Sequence, residues 1–207
     1  FLMENVKMKK ESMAIITEYL GVEPIEINSN LVSAQNRKRL YWTNIPMKGL
    51  PEDKGIMLKD ILEPVEQIDD AYYYSDKSIA YMERGNAKWQ QAGSRRADRY
   101  TQTPDTKKAF TITANFHKGV PYNYFDDVRD KSKCVRSGGR GSYDRHEWDS
   151  VDTHHIRKLT VTECERLQTV PDGYTCGVSN TQRYKMLGNG WTVDVVKHIF
   201  EGLKETA

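Results

Sequence analysis

The most constraining feature of this 207-residue sequence is the stretch 157–191, which predicts two capped helices followed by a tight backbone corner. Thr160 and Glu163 have the spacing of a capping box, in which the two residues satisfy each other's backbone amides at a helix start. Ser179 and Gln182 repeat that spacing for a second helix. The Gly-Asn-Gly-Trp run that follows predicts the corner, because glycine adopts backbone conformations that other residues avoid.

Apolar spacing gives these two helices a buried face and an end. Val161, Cys164 and Leu167 recur at helical spacing, so we expect them to face a core. Pro171 is expected to stop the first helix, and Pro-Asp-Gly predicts a turn after it. Gly188 is expected to end the second helix in the left-handed conformation.

The last segment predicts one more amphipathic helix, which Thr192 can cap. Its apolar residues follow the i, i+3, i+4, i+7 pattern of a helix that docks on another element. They are Val196, Ile199, Phe200 and Leu203.

Residue identities in the stretch add a resemblance to a family. Arg157-x-Leu-Thr, followed by Glu-x-x-Arg-Leu-Gln168 and Pro-Asp, resembles the ninth conserved block of the cytosine-5 DNA methyltransferases. Gly-Asn-Gly-Trp before a helix resembles their tenth block, which closes over S-adenosyl-L-methionine. The resemblance implies that Asn189, Gly190 and Trp191 bind this cofactor, whose carboxylate would suit free amides before a helix. The competing interpretation is an ordinary turn with Trp191 in the core.

The first residues of the chain carry a second block. Phe1 to Met3 is apolar and is followed by Glu4-Asn-Val, which suits the end of a buried parallel strand that carries a polar group. The alternative is a frayed terminus with an exposed carboxylate. Glu-Asn-Val also resembles the sixth block of the family, whose glutamate holds the target cytosine, and the resemblance gives that role to Glu4.

A helix and two strands are predicted next: a helix over 11–20 that Gly21 can end, and strands over 24–28 and 40–45. Gln-x-Arg37-x-Arg39 before the second strand resembles the eighth block. Residues two apart on a strand share a face, so both arginines can point together. By resemblance they hold the base carbonyl oxygen and a neighbouring phosphate, and the alternative is a basic loop in contact with solvent or phosphate.

The interval between the eighth and ninth blocks is where the family places its target recognition domain. The expected organisation is therefore catalytic residues 1–46, a separate strand-and-loop lobe 47–156 for reading DNA, and a catalytic return segment 157–207. The implied fold class is α/β, a partial Rossmann-like methyltransferase fold with this insertion. Residues 84–145 hold 14 Lys and Arg against 6 Asp, a charge balance that favours contact with the phosphates of duplex DNA.

Candidate DNA contacts in this interval fall into two groups. The dense basic residues assigned to phosphates are Arg95, Arg96, Arg99, Lys107 and Lys108. Arg136 and Arg140 border or occupy a glycine-rich loop and are assigned to base edges, although such a loop can be only a connection. Residues 108–116 alternate in polarity, which predicts a strand with Phe110, Ile112, Ala114 and Phe116 facing inward.

The nucleophile implied by the family is missing from this sequence. The family adds a cysteine thiolate to carbon 6 of cytosine, which makes carbon 5 able to attack the methyl group of the cofactor. That cysteine follows a proline, and Cys134, Cys164 and Cys176 do not. The cysteines also form no CxxC pair, so no metal site is expected.

Three explanations remain open: a fragment of a whole enzyme, one subunit of a split methyltransferase, or a catalytically silent relative. A free-standing DNA-binding protein would need neither Glu4 nor the glycine corner. The sequence begins without methionine and is expected to be the middle of a longer chain, so the coding sequence upstream of Phe1 would separate these readings. The expected partners are duplex DNA and the upstream half, in a bacterial or phage-type cytoplasmic setting with no membrane span.

Overall fold

The computed structural model describes residues 1–75, 77–81, 84, 102–119, 123–127 and 156–205. A three-stranded sheet forms the start of the fold, with strands β1 (Leu2–Asn5), β2 (Ile25–Asn28) and β3 (Lys38–Thr43) in the order β1-β3-β2. Both outer strands are antiparallel to β3. β1 was expected to be a parallel strand, but it pairs with β3 in the antiparallel direction. β1 and β2, on either side of β3, run in the same direction.

Helix α1 (Lys10–Leu20) covers one face of the sheet. It ends at Gly21 in the left-handed conformation (φ 68°), as predicted. Trp42 is fully buried beneath it, and the indole nitrogen donates a hydrogen bond to the hydroxyl of Thr17 at 3.0 Å. This bond fixes α1 against β3.

The other face of the sheet is covered by the last helix of the chain. Tyr41 points away from Trp42, because side chains alternate along a strand, and it shares a core with Ile27, Val195 and Ile199. The C-terminal residues therefore return to pack on the N-terminal segment. The sheet consequently lies between helices from opposite ends of the chain.

A second core joins the return segment to described parts of the 47–156 interval. Helices α2 (Val161–Leu167) and α3 (Asn180–Asn189) supply one side of this core. The buried residues come from all three expected segments: Ala34, Leu58, Ile61, Ala109, Ile112, Phe116, Phe125, Leu159, Val161, Cys164, Leu167, Tyr184 and Leu187. Buried residues of the described parts of 47–156 thus pack in one core with residues from the 1–46 and 157–205 segments.

The strand predicted over 108–116 is wrong. Within it the structure places one parallel bridge, between Gln35 and Ala109, and then turns into a short 3₁₀ helix over Phe116–Lys118. Side chains take the backbone amides that a neighbouring strand would have used: Gln102 accepts from Phe110 and Gln35 accepts from Ile112. Ile112 and Phe116 are nevertheless buried, as the alternation predicted, whereas Phe110 and Ala114 are half-buried.

The capping box that opens α2 is confirmed. The Thr160 hydroxyl accepts from the Glu163 amide at 3.1 Å, and the Glu163 carboxylate accepts from the Thr160 amide at 2.8 Å. Helix α2 ends at Leu167, before Pro171, because Thr169 takes a left-handed conformation (φ 56°). At the start of α3, Ser179 accepts from the Gln182 amide at 3.4 Å, which gives the first half of the predicted box.

The prediction that Gly188 ends α3 in the left-handed conformation is wrong. Helix α3 runs through Gly188 to Asn189 and is followed by Gly190 in an extended conformation (φ −72°, ψ 170°). Glycine is required at 188 for space, since a Cβ there would lie 2.3 Å from the backbone carbonyl of Thr113. Glycine at 188 is therefore explained by the close approach of two backbones, and not by a left-handed conformation.

Replacing Gly188 with alanine is expected to lower the free energy of unfolding by about 1–3 kcal/mol, because the backbone at Thr113 must move to admit the methyl group. Denaturant unfolding of the purified protein measures this. Asn189→Ala at the adjacent exposed helix position is the control and should leave the unfolding midpoint unchanged. Equal midpoints for both variants would contradict the steric account.

Thr192 precedes the final helix, α4 (Val193–Glu201), as predicted, but its hydroxyl does not cap it. That hydroxyl bonds Ser29 and Gln168, and Thr169 bonds the Asp194 amide at 2.8 Å instead. The apolar pattern of the helix is partly confirmed: Val196 and Ile199 are buried, whereas Phe200 and Leu203 are 43% and 48% exposed. Across the described residues, none of the helices has the length and apolar character needed to cross a membrane.

Candidate functional site

Glu4 and Arg39 form a sheltered ion pair at one end of the sheet. Glu4 lies opposite Tyr41 in the β1–β3 register, and Arg39 lies two residues before Tyr41 on the same face. The Arg39 Nε atom is 2.9 Å from the Glu4 carboxylate, and the two side chains are 13% and 8% exposed. The alternative of a frayed terminus with an exposed carboxylate is therefore wrong.

The environment of Glu4 raises the pKa of its carboxyl. Burial raises its pKa above the ordinary value of 4.5, and the positive charges of Arg37 and Arg39 oppose this without cancelling it. The carboxyl therefore lies in a place that penalises its charge and supplies a cation beside it. A group of this kind can donate a proton or hydrogen bond to a ring nitrogen and then be stabilised as the anion.

Arg37 occupies a different position from Arg39, although both were expected to contact the base. Its side chain is buried, and its two terminal nitrogens donate to the carbonyl oxygens of Ile112, Gly188 and Gly190. Burial, followed by the charge of Arg39, lowers its pKa to about 10. The alternative of a basic loop in solvent does not hold for Arg37, which is 3% exposed.

The Gly-Asn-Gly-Trp corner is exposed on its outer side. Asn189 is exposed and Trp191 is 46% exposed, so the alternative with Trp191 in the core is wrong. Several amides of the corner are already used: Gly190 donates to Met186, Val193 to Gln168 and Asp194 to Thr169. Among the described residues, the amides of Trp191 and Thr192 are the two at this corner without an acceptor.

This arrangement offers backbone N–H donors to an anionic group such as a carboxylate. Two adjacent amides without acceptors, at the start of α4, can receive an anionic oxygen. The exposed side chains of Asn189 and Trp191 flank that place in sequence. The corner can therefore hold one end of the cofactor.

A buried network of hydrogen bonds, which the sequence did not predict, holds the residues on both sides of the corner. Gln168 donates to the carbonyl of Leu187 at 2.5 Å, and its amide oxygen accepts from Thr192 at 3.0 Å. Ser29 donates to Thr192 at 2.8 Å. A signal was available, since Gln168 follows Cys164 by four residues and so continues the apolar face of α2 one residue beyond its end, where a buried amide needs partners.

A second buried network organises the start of α2. Arg157 is fully buried and forms two bonds of 2.8 Å to the Glu163 carboxylate and one of 2.7 Å to Asp127. Burial alone would lower the pKa of Arg157, but the bonds and charges of Glu163 and Asp127 outweigh it and raise the pKa. Asp127 belongs to the interval between the blocks, so this network ties that interval to the return segment.

The candidate DNA contacts are only partly visible. Arg95, Arg96, Arg99, Arg136 and Arg140 lie outside the described residues. The remaining two candidates, Lys107 and Lys108, are described and differ.

Lys107 is exposed, which is compatible with phosphate contact. The ammonium group of Lys108 instead donates to the carbonyl oxygens of Asn30, Ser33 and Ile56 at 2.6–3.1 Å. All three donors of that ammonium are used inside the protein, so its position favours a structural role.

Of the two described cysteines, Cys164 is a poor nucleophile candidate. Cys164 is fully buried, and burial raises the pKa of its thiol well above the ordinary value. Cys176 is exposed, in the connection between α2 and α3. Where the structure describes side chains, it does not gather His, Cys, Asp and Glu into a group that could hold a metal ion.

Comparisons with known proteins show which family the chain matches. The family model described as C-5 cytosine-specific DNA methylase matches residues 1–205. The chain is 43% identical over 212 residues to the orphan methyltransferase M.SPBetaI of Bacillus phage SPbeta, covering 100% of this chain and 41% of that protein. It is 28% identical over 218 residues to the type II methyltransferase M.HpaII of Haemophilus parainfluenzae, covering 95% and 58%.

Solved structures support the same fold. The Entamoeba histolytica methyltransferase EhMeth superposes with a TM-score of 0.64 at 17% identity, covering 98% of this chain and 62% of that one. The S. pombe Dnmt2 methyltransferase superposes with a TM-score of 0.61 at 18% identity, covering 99% and 67%. The chain therefore has the α/β methyltransferase fold, in part, and spans about half the length of the two curated relatives. It belongs to the C-5 cytosine-specific DNA methylase family.

Proposed function

We propose that this chain is the C-terminal portion of a DNA (cytosine-5)-methyltransferase, which holds the target cytosine while an upstream half supplies the nucleophilic cysteine. The observation that carries the proposal is the sheltered Glu4–Arg39 pair, with 2.9 Å between Nε and the carboxylate. A buried carboxyl with a raised pKa beside an arginine suits a ring that changes its charge during reaction.

The proposed chemistry assigns a separate role to each member of the pair. A thiolate from the upstream half adds to carbon 6 of a cytosine that has left the base stack. Negative charge then develops on the ring, and the Glu4 carboxyl stabilises it by donating to ring nitrogen 3. Arg39 donates to the carbonyl oxygen of the base and stabilises the Glu4 carboxylate that results.

The corner is proposed to complete the cofactor site. Asn189, Gly190 and Trp191 would hold the methionine end of S-adenosyl-L-methionine, which supplies the methyl group, and the upstream half would hold the remainder. No metal takes part in this proposal. The two amides without acceptors at Trp191 and Thr192 support the assignment.

The 47–156 interval is proposed to read duplex DNA, anchored to the catalytic segments through the shared core and Arg157. Five of the proposed DNA contacts, Arg95, Arg96, Arg99, Arg136 and Arg140, rest on the sequence. Lys107 stays with them because its side chain is exposed. A cytoplasmic setting in a bacterium or its phage is part of the same proposal.

Methyl transfer by the two halves tests the proposal. This chain alone is expected to transfer no labelled methyl from S-adenosyl-L-methionine to duplex DNA. Joined or mixed with an upstream half that carries the family's Pro-Cys loop, it should become active; we call this combination the assembled enzyme. Transfer by the chain alone, or an inactive but folded assembled enzyme that binds DNA, would contradict the proposal. The second outcome would favour the silent relative.

Binding of DNA by the assembled enzyme tests the reading role. Arg140→Ala is expected to weaken binding to the preferred site about 5–150-fold more than binding to scrambled duplex, because a bidentate arginine–guanine contact discriminates by about 1–3 kcal/mol. Lys107→Ala should weaken both equally and lower the salt dependence by about one phosphate. A titration series in salt with both DNAs measures this. Equal losses on both DNAs for Arg140→Ala would make it a phosphate contact.

A further inference from the structure

Arg37 determines the orientation of one peptide group at the corner. Its Nη2 atom donates to the carbonyl oxygen of Gly190 at 2.8 Å, and both terminal nitrogens contact the Gly188 carbonyl at 3.3 Å. The Gly190 carbonyl belongs to the same planar peptide as the Trp191 amide. In a trans peptide the C=O and N–H bonds point in opposite directions. Holding the oxygen toward Arg37 therefore directs the Trp191 N–H away from it.

The amide aimed in this way has no acceptor in the described structure. Its neighbours differ, since Gly190, Val193 and Asp194 all donate within the protein. Gly190 is extended and Trp191 is 46% exposed, so the outer side of the corner is open to solvent. A guanidinium that donates to the carbonyl oxygen of a peptide strengthens the N–H of that peptide as a donor. The cation draws electron density toward the oxygen and leaves the N–H hydrogen more positive.

The same guanidinium also reaches the interval between the blocks. Nη1 donates to the Ile112 carbonyl at 2.8 Å, in the segment that packs against Gly188. Arg37 thus links the catalytic strand β3, the corner and the 109–118 segment through three carbonyl groups. Its terminal nitrogens both donate within the protein, and its buried Nε has no partner among the described residues.

We propose that Arg37 is a positioning residue for the cofactor, which aims the Trp191 amide at the carboxylate of the bound methionine moiety. This rests on the proposed function and replaces the role in base binding that the sequence suggested for Arg37. Arg39 keeps that role, since it contacts Glu4. Arg37, which immediately precedes β3, and Arg39, which lies within it, then serve different reactants: Arg39 the base and Arg37 the methyl donor.

Two ligands that differ at the carboxylate test the proposal. S-adenosylhomocysteine has the amino acid carboxylate, and 5′-methylthioadenosine lacks the whole amino acid moiety. In the assembled enzyme, Arg37→Met is expected to lower the affinity for S-adenosylhomocysteine about tenfold or more and to leave the affinity for 5′-methylthioadenosine unchanged. Calorimetry measures both affinities. Lys38→Met, which removes an exposed charge from the neighbouring position, is the control and should change neither affinity.

A second pair of variants acts on the amide itself and remains informative if Arg37→Met fails to fold. Trp191→Pro removes the N–H, and the extended Gly190 before it is compatible with proline. Trp191→Ala retains the N–H and is the matched reference. Trp191→Pro should bind S-adenosylhomocysteine about tenfold more weakly than Trp191→Ala, with equal affinity for 5′-methylthioadenosine.

Each outcome bears on a different claim. Equal S-adenosylhomocysteine affinity for Trp191→Pro and Trp191→Ala would overturn the role of the amide. If Arg37→Met lowered the affinity for both ligands equally, Arg37 would have a structural role only. Equal affinity of the wild-type enzyme for both ligands would rule out the proposed contact with the carboxylate. These binding results stand apart from methyl transfer, whose absence would count against the proposed function and not against the role of Arg37.

Discussion

Replacing Glu4 with alanine in the assembled enzyme is expected to lower the rate of methyl transfer by about 10²–10⁴-fold, the usual contribution of general acid–base assistance. The carboxyl is sheltered, has a raised pKa and lies 2.9 Å from Arg39, so alanine removes both the donor to the base and the partner of that arginine. Single-turnover transfer of labelled methyl to duplex DNA measures the effect on the chemical step.

Two further variants separate this effect from damage to the fold. Glu4→Gln keeps the shape and a hydrogen-bonding partner for Arg39 but cannot exchange a proton, so its rate should also be strongly reduced. Glu26→Ala removes a carboxylate on β2 that pairs with exposed lysines, and it should leave the rate unchanged. A Glu4→Ala rate close to wild type would rule out the catalytic role of this residue.

Replacing Arg157 with methionine is expected to lower the free energy of unfolding by about 3–5 kcal/mol, the cost of leaving buried charges without their partner. Glu163 and Asp127 would lose bonds of 2.7–2.8 Å in a site where all three side chains are almost fully buried. Urea unfolding monitored by circular dichroism measures the change. Because Asp127 precedes the return segment, both parts of the second core should unfold together.

Arg166→Met is the matched control for Arg157. It also breaks an arginine–carboxylate pair, with Asp172 at 2.7 Å, but these side chains are 31% and 53% exposed. Solvent screens such a pair, which contributes about 0–1 kcal/mol. Loss of the Arg166 bond to the Ile61 carbonyl at 2.9 Å adds about 1 kcal/mol, so the total stays below the loss expected for Arg157→Met. Similar losses for the two variants would show that the buried network contributes no more than a surface pair.

The local sequence pattern correctly predicted the helices of the C-terminal part. It failed at positions whose conformation depends on contacts with residues distant in sequence. Thr160 and Glu163 predicted their capping box because both partners lie within one turn. Gly188 was assigned the wrong conformation because its requirement comes from Thr113, which is distant in sequence. The strand predicted over 108–116 failed for the same reason, since Gln35 and Gln102 capture the amides that a ladder would need.

The candidate site shows the same division. The spacing of Arg37 and Arg39 predicted two arginines near one another at a strand, and the structure places Arg37 immediately before β3 and Arg39 within it, with Arg39 paired to Glu4. Nothing in that spacing distinguishes the arginine that meets a carboxylate from the one that meets three carbonyls. That difference depends on the 188–190 corner, which packs against β3 only in the folded chain.

The most direct test of the central claim is to locate the nucleophile by trapping it. Release of the enzyme requires loss of the hydrogen on carbon 5 as a proton, and fluorine cannot leave as a cation, so duplex DNA with 5-fluorocytosine should retain the thiolate adduct at carbon 6. With the assembled enzyme and S-adenosyl-L-methionine, we expect a covalent complex whose modified peptide comes from the upstream half. An adduct on Cys134, Cys164 or Cys176 would contradict the account, because this chain would then carry its own nucleophile.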